Sequence, residues 1–184
     1  MDDVGPPRKL RKSYNTPGHS HELTFSTYQK RQLLALPGVA ELFLEGLDRA
    51  RGKLDFNLFA YVVMPDHCHV LVGPRQNAYD VGRILSQIKG PFAKMVLGTR
   101  EDVRRLAEVG RLNGKLEHRI WERGGGYDRN VFTPQTVMNA VRYIHMNPVR
   151  GGLCAEPSEW PWSSAAVYAG GVAPIPIDNV DLGS

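Results

Sequence analysis

The chain has 184 residues, 42% of them hydrophobic and 23% charged, which suits one soluble domain with a proper core. No apolar stretch reaches the roughly 18 residues of a bilayer-spanning helix and no apolar leader follows Met1, so no membrane role and a cytoplasmic location are expected. Two cysteines, Cys68 and Cys154, speak against a disulfide framework or a Cys-rich zinc site, while a net charge of +4 is only a weak pointer to a polyanionic partner.

In chain order, residues 1–18 read as a basic tail, with Arg8, Lys9, Arg11 and Lys12 among prolines and no periodicity. His21 to Tyr28 alternates and predicts a half-buried strand. After Pro37-Gly38, the residues Val39, Leu42, Phe43, Leu47 and Ala50 recur at helical spacing. Two apolar runs, about Asp55–Met64 and His67–Gly73, flank Pro65-Asp66 and predict a tight hairpin. Asp80 is a plausible N-cap for a helix through Val81, Ile84, Leu85, Ile88, Phe92 and Val96, with a kink at Gly90-Pro91. Residues 98–117 are charged and irregular, and Leu116–Arg123 suggests a short strand. Thr133-Pro134 opens a helix that stops before Asn147-Pro148. A short closing helix ends near Tyr168, and residues 171–184 read as a second tail. Strands interleaved with helices around one hairpin predict an α+β, ferredoxin-like antiparallel sheet with helices packed on it, formed by a single domain over residues 19–170.

The hairpin carries the chemistry. His67 and His69 stand two apart on a strand, so both imidazoles face one way, with Cα atoms roughly 6.6 Å apart, and Cys68 faces the other. Such a pair can converge on a divalent ion; the alternative is a hydrogen-bonded structural pair. Downstream, Arg119-Ile-Trp-Glu-Arg-Gly-Gly-Gly-Tyr-Asp-Arg129 sets Tyr127 after three glycines and among cations. A phenol there could attack a phosphate if its ionisation is assisted; the alternative is a packing tyrosine. Lys12, Lys89, Arg119, Arg123 and Arg129 are candidate contacts to a nucleic-acid backbone, with a solvated surface as the alternative for each. Tyr61, Tyr143 and Tyr168 read as core or boundary residues, and His145 as packing or a helix cap.

Four blocks then resemble a known family in order and spacing. They are Tyr61-Val-Val-Met-Pro-Asp-His-Cys-His-Val-Leu-Val72, Ile120-Trp-Glu-Arg-Gly-Gly-Gly-Tyr-Asp-Arg129, Tyr143-Ile-His-Met-Asn-Pro-Val-Arg-Gly-Gly-Leu153 and Trp160-Pro-Trp-Ser-Ser164. Over about His21 to Gly170 the chain is similar to the IS200-like (Y1 HUH) transposase superfamily, REP-associated tyrosine transposase subgroup. The resemblance implies an HUH endonuclease fold, with His67 and His69 as metal ligands and Tyr127 as the catalytic tyrosine. It implies Mg²⁺ or Mn²⁺ as cofactor and single-stranded DNA with imperfect hairpins as partner. The reaction implied is cleavage through a 5′-phosphotyrosine intermediate that leaves a free 3′-hydroxyl, by a monomer or homodimer. Where the family often has Gln and an aromatic residue, this chain has Glu122 and Gly126. Some relatives supply a third ligand four residues after the tyrosine, here Val131, which cannot coordinate; Asp128, Glu122 and water are the options left. A binding module for structured single-stranded nucleic acid, without catalysis, is the alternative function.

Overall fold

A computed structural model describes residues 14–110, 114–124 and 126–180. Four strands form one sheet: β1 (Ser20–Ser26), β2 (Phe56–Val63), β3 (His67–Pro74) and, late in the chain, β6 (Tyr127–Val131). Their order is β2-β3-β1-β6 and every neighbouring pair is antiparallel. Helix α1 (Val39–Leu54) connects β1 to β2, and α2 (Val81–Thr99) leads on from β3. Strand β3 thus slots between β1 and β2, the split βαβ arrangement of the expected ferredoxin-like class.

Local sequence explains these elements. The buried positions of α1, Val39, Ala40, Phe43, Leu44, Leu47 and Ala50, lie on one face, and Asp55 ends the helix in the left-handed region at φ 50°. The Asp80 side chain caps α2 by accepting from the Gly82 amide. Helix α2 runs through Pro91 to Thr99 as one helix, with Ile88, Phe92 and Val96 holding both halves on the core. The stretch expected to be irregular is partly structured: α3 (Glu101–Leu106) and a two-stranded ribbon of β4 (Glu108–Gly110) and β5 (Leu116–His118). Only the first three residues of the expected 116–123 strand adopt that form.

The two faces of the sheet differ. On one, Leu23, Phe25, Tyr61, Val63, Cys68, Val70 and Val72 pack against α1 and α2 in the main core. On the other, Ala60, Val62, Leu71 and Val131 meet Val137, Ala140, Val141 and Ile144 of helix α4 (Pro134–His145). A register shift between Leu58 and Ala60 changes which residues of β2 face the main core, Phe56 and Leu58 before it, Tyr61 and Val63 after it. Helix α4 covers the β2–β3 half of its face and leaves part of β1 and β6 open. Thr133 caps it in a reciprocal capping box with Thr136.

The free edge of β2 is closed by later segments. Short helices α5 (Asn147–Arg150) and α6 (Ala165–Tyr168) bracket the Trp-Pro-Trp-Ser-Ser block. Val63 N–H donates to Trp162 O, Ser164 N–H to Tyr61 O, and Trp160 Nε1–H to Val63 O. The segment expected as a C-terminal tail also docks, as far as residue 180. Ile175 is buried, and Asp178 accepts from Leu58 N–H while its own N–H donates to Leu58 O. Arg51 and Arg75 flank that carboxylate at 2.9 and 3.0 Å.

Candidate active site

Strand β3 places His67 and His69 on the α4 side of the sheet, their rings 5.0 Å apart. Each ring is oriented through Nδ1. His67 Nδ1–H donates to Asp66 Oδ1 at 2.6 Å; a carboxylate can only accept, so this fixes the tautomer. His69 Nδ1 lies 2.8 Å from Thr24 Oγ1 on the neighbouring strand β1. Burial, reinforced by the adjacent His67, pushes His69 down to about 4, so it is neutral near pH 7. Two imidazoles held at Nδ1 present their Nε2 atoms, the arrangement found around protein-bound metal ions. Two imidazole donors so held are chemically suited to a divalent cation.

The same face opens into a cleft of about 340 Å³ lined by Glu22, Thr24, His69, Tyr127, Arg129 and Tyr143. Register builds it: Thr24 pairs with His69 on one side and Tyr127 on the other, and Glu22 pairs with Leu71 and Arg129. Tyr127, expected just after the three glycines, begins β6. Gly126 before it sits at φ +75°, where a Cβ would come within 2.2 Å of Thr24 O. From the register, Tyr127 stands two strands from His69, roughly 10 Å between Cα atoms.

A second phenol approaches from the opposite wall. Tyr143 projects from α4, is 43% exposed, and its ring meets His69 edge-on at 5.7 Å. Arg150 stacks over it at 5.1 Å. One helical turn on, Asn147 Nδ2 donates to Tyr143 O and Ile144 O, which turns its Oδ1 the other way. Sequence reasoning passed over Tyr143 as a core or boundary residue, since its place late in the predicted helix did not show which strand it would overlook.

The sequence options for a third ligand are used elsewhere. Asp128 lies on the opposite face, bonded to the buried His21 at 2.9 Å, and Glu122 accepts from Gln29 N–H. Val131 is a core residue. No group of three His, Cys, Asp or Glu side chains able to hold an ion exists among the described residues.

The candidate phosphate contacts divide. Lys12 lies outside the described residues. Lys89 Nζ donates to Gly124 O at 3.0 Å and lies over Phe25 and Trp121, so it ties the glycine run to α2. Arg119 pairs with Glu117 and stacks on Tyr28, Arg123 is exposed, and Arg129 lines the cleft. Trp121 is a core anchor among Phe25, Phe43 and Phe92. Cys68 is fully buried, and burial raises its thiol well above the ordinary range. His145 joins Ser164 at 2.8 Å, tying α4 to the closing segment.

A protein of Haemophilus influenzae (strain KW20 / Rd) named as a REP-associated tyrosine transposase is 25% identical over 109 residues, 59% of this chain and 58% of its own length. The chain thus matches little more than half of that relative. A solved structure described as the REP-associated tyrosine transposase bound to a REP hairpin superposes with a TM-score of 0.69 at 19% identity, covering 96% of this chain and 94% of that one, so the two share a fold. No helix among the described residues is long and apolar enough to cross a membrane. The family model for "Transposase IS200 like" matches residues 16–146, most of the chain, and the chain therefore belongs to the IS200-like transposase family.

Proposed function

We propose that this chain is a metal-dependent, single-strand DNA endonuclease and strand transferase of the REP-associated kind, acting beside imperfect hairpins. The single observation that carries the reading is the meeting of His69 and Tyr143 at 5.7 Å over a cleft rimmed by Arg129. The hairpin partner is supported by the fold shared with a transposase described as bound to a REP hairpin.

His67 and His69 would hold Mg²⁺ or Mn²⁺. Such an ion, when bound, supplies Lewis-acid polarisation of a phosphoryl oxygen. The Tyr143 phenol is the nucleophile we favour, because it stands against the histidine pair, whereas Tyr127 lies beyond Thr24. Its oxygen forms a bond to phosphorus, the bond from phosphorus to the 3′ oxygen breaks, and the phenolic proton is lost as the 3′ oxygen gains one. The product is a 5′-phosphotyrosine and a free 3′-hydroxyl. Since the phosphodiester count is conserved, the same hydroxyl or another can reverse the step without a nucleotide cofactor.

Labelled hairpin-bearing single strands incubated with Mn²⁺ should give a denaturation-resistant protein–DNA band. Y143F should lose it and Y127F retain it; the opposite pattern would return the nucleophile to Tyr127. H67A should lose the band while keeping most of the DNA affinity. Salt-sensitive binding with no band under any divalent ion would favour the non-catalytic module, a reading prompted by the absence of a third acidic or histidine ligand among the described residues.

A further inference from the structure

The cleft holds a carboxylate where a polyanion would have to pass. Glu22 is 3% exposed, on the same face of β1 as Thr24. A buried carboxylate is expensive unless paired, and in a phosphate-binding cleft it also repels. Its partner stands directly across on β6: Arg129 donates to Glu22 Oε2 at 2.5 Å, and the arginine side chain is 45% exposed to the cleft. A guanidinium has five N–H donors in one plane, so an edge held by Glu22 leaves the rest to face outward. Without that anchor an arginine side chain has rotamer freedom to lose on contact. Tyr127, two residues earlier on β6, lines the same cleft.

We propose that Glu22 is a positioning residue, holding the Arg129 guanidinium as a preset clamp for a DNA backbone phosphate beside the scissile one. This rests on the reading of the cleft as a single-strand DNA site. Glu22 subtracts charge from the cleft and adds order to its cation, so it serves alignment of the bound strand at the expense of raw affinity.

The roles separate in kinetics. E22A should lower kcat for hairpin-oligonucleotide cleavage about 10- to 100-fold, the scale of a small misplacement, while affinity is unchanged or tighter. E22Q, which keeps an acceptor of nearly the same shape, should fall between. In an R129Q background E22A should add less than twofold, because Glu22 acts through Arg129. R129Q should also flatten the dependence of log affinity on log salt by about 0.7, one single-strand phosphate, and E22A should not. Wild-type kcat in folded E22A or E22Q, an undiminished E22A effect in R129Q, or affinity falling in step with kcat would each overturn the proposal. If E22A melts out, E22Q and R129Q alone decide it. Absence of any adduct from the wild type would sink the proposed function; the salt dependence would still test the clamp, and an unchanged slope in R129Q would refute it.

Discussion

His145 offers a test of how the closing segment is held. It is 7% exposed, with its ring against Tyr168 and Nε2 on Ser164 Oγ. Burial lowers it from 6.5 to about 4. At about 1.4 kcal/mol per tenfold, that corresponds to about 3 kcal/mol between the neutral and charged forms. The sign follows from proton counts. Above pH 6.5 both folded and unfolded chains carry a neutral ring and no stability is lost. Between 6.5 and 4 the unfolded chain takes up a proton that the folded one refuses, so stability falls as pH falls. Below about 4 the loss levels off. H145Q can keep a donor toward Ser164 but cannot titrate. Urea unfolding at pH 6.5 and 5.0 should therefore show the wild type losing about 2 kcal/mol more than H145Q over that interval. Equal losses would mean that the imidazole protonates freely in the folded state, and that the link between α4 and Ser164 is not as described.

Two further outcomes follow from the glycine run. G126A must force a Cβ against Thr24 O and hold alanine at φ +75°, so it should cost about 2 kcal/mol or more. G124A, at φ +88° with open space around it, should cost only about 1 kcal/mol, and parity between the two in denaturation would refute the close approach. K89M keeps the aliphatic stem but loses the bond to Gly124 O; amide exchange should quicken at Gly126 and Tyr127 with little change in salt dependence. A slope flattened by about 0.7 with unchanged exchange would place Lys89 on DNA instead.

The parts of this molecule legible in the sequence are those set by local periodicity. The hairpin at Pro65-Asp66 and the shared face of His67 and His69 follow from a period of two, and α1, α2 and α4 follow from helical spacing and their caps. Strand β6 was hidden because Tyr127-Asp-Arg-Asn-Val131 has little strand preference. Pairing with β1, the Glu22–Arg129 pair and the His21–Asp128 pair hold it in place, all long-range contacts. Tyr143 was hidden for a related reason. A helix pattern separates buried from exposed positions but does not say which strand the exposed edge will overlook. His21, given no role from sequence, proves to bond Asp128 and Tyr79, at 2.9 and 2.7 Å. The expected tail at residues 171–180 gave no periodic signal, because Asp178 docks through backbone and carboxylate bonds rather than through an apolar stripe.

Asp178 and the Trp160–Ser164 block leave the sheet with one sutured border and one, at β6, where the four-strand ladder stops. Among the described residues, a second molecule that extended this sheet through β6 would lie beside Tyr127 and Arg129. In such a pairing, self-association and access to the cleft would compete for one rim.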